Sequence, residues 1–251
     1  MSIEPSRHLD DLAAFVVASP TSYHAAEELV LRLQRAGFRL LREAEPFPSG
    51  AGSYVLRRSG AVVAWRQPER LGPKAGFRVV GTHTDSPSFK IKPGAPLISA
   101  GWRQLGVEIY GGPLLNSWLD RELGVAGRVV TRHGDVHLVR TGPIARIPQL
   151  AIHLDRQVNA EGLKLDPQRH LQPVLGLTAL GEADVLGLLA ERAGVAAADV
   201  VGFDVVTVDA QAPALFGTHE EFLASARLDN LGSVHAEVEA LIRVQADGPA
   251  S

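Results

Sequence analysis

Residues 9–17 carry apolar side chains at helical spacing, and the "SPT" at 19–21 interrupts them. From Ala25 the pattern resumes with Leu29, Leu33 and Ala36 on one face, until Gly37 stops it; the two stretches predict consecutive amphipathic helices. "SYVLRRSGAVVAWRQ" (53–67) instead alternates, with Val, Tyr and Trp on either side of Ser59-Gly60, which predicts a hairpin. "GFRVVGTHTD" (76–85) is a short apolar run entering a polar segment and predicts a buried strand with His83 at its C-terminal end. Sites in open α/β sheets gather at such ends.

After Pro93 the texture changes. Residues 94–217 offer short strand-like runs such as "VEIY", "GRVVTRHGDVHLVR" and "DVVGFDVVTVD", split by Gly and Pro, around one helical stretch, "EADVLGLLAERAG". Helical spacing returns in "SARLDNLGSVHAEVEALIRVQ" (225–245), with Leu231, Val234, Val238, Leu241 and Ile242 on one face, before a polar "ADGPAS". The pattern predicts a three-part chain: 1–93, a separate β-rich unit over 94–217, and a returning segment over 218–251.

At 251 residues and 45% hydrophobic content the chain is long enough to bury a sizeable core. A formal net charge of -3, with no basic cluster, gives no reason to expect nucleic acid or a membrane surface as partner. Glu4, Asp10 and Asp11 break the N-terminal stretch where a signal peptide needs an apolar core, so a cytoplasmic location is expected. There is no cysteine, so any metal would be held by nitrogen and oxygen.

Two residues apart in extended chain, His83 and Asp85 could share a face, and a ligating imidazole usually gives its other N–H to a carboxylate, which fixes the tautomer. A metal ligand with its orienting carboxylate is one reading of the pair; a surface turn is the other. Asp229, in "RLDN", is read first as a helix N-cap. His219, Glu220 and Glu221 form a third cluster with the residue types of a ligand and a general base. His235 falls on the apolar face of its helix and reads as a packed core histidine, whereas His8, His133, His137 and His170 read as solvated. The chain contains no nucleophile elbow, dinucleotide fingerprint, P-loop or H-E-x-x-H.

Five blocks taken in order, "SPTSYHAAEELVLRLQRAGF", "GTHTDSPSFKIKP", "QLGVEIYGGPLLNSWLDRELGVAGRV", "IPQLAIHLDR" and "FLASARLDNLGSVHAEVEAL", resemble the aspartyl aminopeptidase family of zinc exopeptidases. The resemblance implies an α/β zinc-exopeptidase core interrupted by a β-rich dimerisation and lid domain. It also implies two metal ions per complete site, usually zinc, with manganese or cobalt as substitutes. His83 would bind one ion, Asp85 would orient it and Asp229 would bridge both. His153 matches a histidine that reaches the substrate in a neighbouring subunit's site; a strand histidine at a dimer interface is its plainer reading. The substrate would be a peptide with an acidic N-terminal residue, and the assembly a homo-oligomer built through the inserted domain.

In that family the glutamate pair that supplies the base and a further ligand follows the bridging aspartate by several tens of residues. Glu220 and Glu221 precede Asp229 and read as structural. Asn116 and Gly232 look substituted relative to the family. The expectation is therefore an incomplete core: an N-terminal half that is inactive alone, completed by a second chain, or a non-catalytic oligomerisation subunit. A mononuclear hydrolase using His83, Asp229 and Glu220 or Glu221 is the third reading.

Overall fold

The computed structural model describes residues 5–69, 76–94, 96–180 and 184–244. The polar stretch 246–251 and the first residues of "EADVLGLLAERAG" lie outside them. The chain is α/β and divides into two compact units, Met1–Ser86 with Ala212–Ser251, and Pro87–Gln211.

The first unit opens with α1 (Pro5–Ala18), which has proline at its first position, where no backbone N–H is needed, and ends at Ser19-Pro20. The Thr21 side chain accepts from the His24 N–H and caps α2 (Ser22–Arg35), which runs to Ala36 before Gly37 turns the chain at φ 88°. Three strands follow: β1 (Arg39–Leu41) parallel to β2 (Gly52–Arg58), and β2 antiparallel to β3 (Ala61–Gln67) through a turn at Ser59-Gly60. Phe15, Leu29, Leu33 and Val55 meet Leu231, Val234 and Val238 from the chain's last helix in one buried cluster.

In the second unit the strands are β4 (Ser88–Ile91), β5 (Leu97–Ser99), β6 (Trp102–Gln104), β7 (Val107–Tyr110), β8 (Glu122–Thr131), β9 (Val136–Arg140), β10 (Ala145–Arg146), β11 (Val174–Leu177) and β12 (Val200–Asp209). The short α3 (Val158–Glu161) precedes β11, and α4 (Val185–Ala193) precedes β12. The nine strands form one sheet in the order β5-β6-β11-β10-β8-β12-β4-β7, with β9 on β8. Its spine is the antiparallel pair β8 and β12, in register from Val130 opposite Gly202 to Leu123 opposite Asp209, with a shift before Gly202 that leaves Thr131 opposite Val200. Phe89, Leu123, Val125, Val129, Ile147, Leu171, Leu189 and Val205 fill the core. Residues 87–93 fold with this unit because β4 is hydrogen-bonded to both β7 and β12.

The chain then returns through the hairpin β13 (Ala214–Phe216) and β14 (Phe222–Ala224) to α5 (Leu228–Arg243). The Arg66 guanidinium donates to the carbonyls of Leu241 and Ile242, at 3.0 and 2.9 Å, where helical carbonyls have no intrahelical partner. Among the described residues, no helix is long and apolar enough to cross a membrane.

One expectation is overturned. Residues 77–80 form no strand, and Phe77, Val79 and Val80 are 80, 84 and 69% exposed. β-Branched residues favour a pleated surface only where neighbours supply the ladder, and among the described residues the sheet β1-β2-β3 does not take up the segment. The double substitution Phe77→Ser, Val79→Ser is accordingly expected to leave the chain's unfolding free energy within about 0.5 kcal/mol and to reduce self-association. Urea denaturation and light scattering check this, and a loss above about 2 kcal/mol would show a packed strand.

Candidate metal centre

The segment after the exposed run is irregular but tethered. Thr82 Oγ1 donates to Glu237 Oε2 of α5 at 2.5 Å, Thr84 Oγ1 to the Gly60 carbonyl at 2.7 Å, and Ser86 Oγ to the Asp229 carbonyl at 3.3 Å. His83 is thereby held against the start of α5. There Arg227 takes a left-handed φ of 60°, and Asp229 (φ -87°, ψ 105°) and Asn230 depart from helical geometry across a cis peptide bond.

The imidazole is engaged on both nitrogens. Nδ1 lies 3.0 Å from the Asp85 carbonyl oxygen and 3.4 Å from its Oδ1, and Nε2 lies 3.2 Å from Asp229 Oδ1. A carbonyl cannot donate, so the Nδ1 contact requires the ring proton on Nδ1. In that tautomer Nε2 presents its lone pair on the side of the Asp229 carboxylate, so a nitrogen donor and an oxygen donor face each other. Asp229 thus lies at the helix start but does not cap it: Arg227 holds the cap position, without a side-chain capping bond, and the Asp229 carboxylate faces the imidazole instead. That carboxylate is 91% exposed, while the His83 and Asp85 side chains are about half exposed.

The donor types fit a divalent ion such as zinc, manganese or cobalt, since imidazole and carboxylate are ordinary ligands for all three. Their number is short of a catalytic zinc site, which takes three protein ligands and keeps one position open. His83 and Asp229 therefore fit as part of a ligand set.

The other candidates lie elsewhere. Glu221 Oε2 accepts from the His219 N–H at 2.9 Å, a bond local to the turn between β13 and β14. His153 belongs to the second unit, in an exposed segment with Leu150, Ile152 and Leu154 at 60, 45 and 74% exposure. His235 is 2% exposed, the buried histidine its position predicts, but the Asp11 carboxylate that receives it had no signal beyond being an acid on the first helix. The tethers Thr82 and Ser86 were equally silent, because their partners are 155 and 143 residues away.

Residues 15–250 match the family described as aminopeptidase I zinc metalloprotease (M18). A probable M18 family aminopeptidase 2 of Streptomyces coelicolor is 49% identical over 250 residues, covering 97% of this chain and 58% of that protein. A protein of the same description from Mycobacterium tuberculosis is 42% identical over 248 residues, covering 96% of this chain and 57% of its own length. Among solved structures, the chain in the complex of Ape4 and Nbr1 is 32% identical with a TM-score of 0.88, over 97% of this chain and 53% of that one. The mApe1 dodecamer of Saccharomyces cerevisiae is 26% identical with a TM-score of 0.78, over 93% of this chain and 55% of that one. The family that this match defines is one of metalloproteases. The chain belongs to the M18 aminopeptidase family, and it spans somewhat more than half the length of these relatives.

Proposed function

We propose that this chain is the metal-binding N-terminal half of an aminopeptidase that removes N-terminal acidic residues from peptides. The observation that carries the reading is the His83 imidazole, backed through Nδ1 by Asp85 and facing Asp229 through Nε2 at 3.2 Å. In this reading His83 is a ligand, Asp85 orients it, and Asp229 bridges two ions, zinc in the first instance. The ions supply Lewis acidity for peptide hydrolysis. The chain's own residues fix the imidazole tautomer, aim the bridging carboxylate and hold both at the start of α5. The remaining ligands and the general base come from the stretch that the longer relatives possess and the match to this chain leaves out. The whole enzyme is a cytoplasmic homo-oligomer that associates through the unit over residues 87–211, with His153 serving the neighbouring subunit's substrate. The exposed apolar segment around His153 and the dodecamer among the solved relatives support the assembly.

The test is an assay on Asp- and Glu-terminated chromogenic substrates with added zinc. The 251-residue chain alone is expected to be inactive. Mixing it with a polypeptide carrying the unmatched stretch of the Streptomyces coelicolor relative is expected to produce activity, abolished by His83→Ala. Activity of the chain alone that survives His83→Ala would overturn the reading. An inactive mixture that holds no zinc would favour a non-catalytic oligomerisation subunit.

A further inference from the structure

His235 stands in a second cluster of metal-ligating groups that uses neither His83 nor Asp229. Asp11 comes from α1, and His235 and Glu239 come from α5 one turn apart, where positions four residues apart share a helix face. One donor atom from each lies within 4.8 Å of the other two. Nε2 of the buried His235 is 2.6 Å from Asp11 Oδ2, and the His8 ring lies 4.9 Å from the His235 ring, centroid to centroid. We propose that Asp11, His235 and Glu239 bind one zinc-class divalent ion that fastens α1 to α5. One imidazole and two carboxylates are an ordinary ligand set for such an ion, and His8 offers a further nitrogen beside it.

Arg32 is the competitor. Its Nη1 donates to the same Asp11 oxygen at 2.6 Å, its Nε donates to Glu28 at 2.8 Å, and Arg243 pairs with Glu239 from the more exposed side. A carboxylate has about four lone-pair sites, so Asp11 can keep the Arg32 bond while it ligates, and ligating carboxylates normally carry such an outer hydrogen bond. Burial pushes the Asp11 carboxyl up, but the hydrogen bonds from Arg32 and His235 outweigh it and hold the group below its usual range. Without an ion, a proton joins His235 to Asp11; the ion takes the place of that proton.

The experiment uses the 251-residue chain with His83→Ala, so that zinc has lost one donor of the other pair. Chelator-stripped protein is titrated with zinc chloride against a chromophoric chelator, and with cobalt chloride to read visible absorption. One equivalent at micromolar zinc, with the intense bands of a four-coordinate cobalt centre, is expected. Adding Glu239→Gln, which leaves the Asp11–His235–Arg32 contacts in place, is expected to weaken zinc about tenfold or more without moving the melting temperature of the metal-free chain. No binding by the His83→Ala chain, or equal affinity with and without Glu239→Gln, would overturn the proposal and leave the cluster as an ion-pair network.

Discussion

Gly127→Val is expected to prevent the second unit from reaching its native packing. Gly127 lies opposite Val205 in the middle of the β8–β12 pair, and a Cβ there would stand 2.1 Å from the Asp204 carbonyl oxygen and 2.7 Å from Val205 Cα. Both neighbours are backbone, so relief requires one strand to move away from the other. That pair is hydrogen-bonded to β4, β9 and β10, so the displacement spreads through the sheet. A cost of about 4 kcal/mol is expected for valine and about 2 kcal/mol for alanine, on the scale of overpacked cores. Urea denaturation of both variants checks the gradation, and an alanine variant within about 0.5 kcal/mol of the parent would show that the strands are already apart at this point.

Asp229→Ala is expected to do the reverse, with little effect on stability and a large one on function. The carboxylate is 91% exposed, and its contact with His83 is of the exposed kind that contributes about 0–1 kcal/mol. The main-chain carbonyl that receives Ser86 Oγ survives the change. In the mixture that restores activity under the proposed function, the variant is expected to lose about a thousandfold or more in turnover, as when a member of a catalytic set is removed. Asp229→Asn keeps the shape and removes the charge, so it separates charge from position. Activity within tenfold of the parent would remove Asp229 from the centre.

What could be read in advance followed the range of the signal. Both N-terminal helices, the β2–β3 hairpin, β8, β12 and α5 are written in local periodicity and in nearby caps and turns. Residues 77–80 were misread because apolar content reports a demand for burial, while partner strands meet that demand from elsewhere in the chain. The site was partly legible for the same reason. His83 and Asp85 are two residues apart, so their pairing shows in the sequence. Where the Asp229 carboxylate points, toward His83, could not be read locally, because it depends on tethers such as Thr82 to Glu237. The Asp11 to His235 contact joins residues 224 apart, which periodicity cannot connect.

The order in which the chain leaves the ribosome bears on its first unit. That unit is assembled from Met1–Ser86 and Ala212–Ser251, and everything between belongs to the other unit. Domains fold as they emerge, so the β8–β12 sheet has all its strands before α5 has been synthesised. Until then α1, α2 and the β2–β3 hairpin lack the Leu231, Val234 and Val238 face that closes over Phe15, Leu33 and Val55. Folding of the first unit therefore includes a long-range loop closure, slow by its contact order, and the interval before it is when the nascent chain has most need of a chaperone.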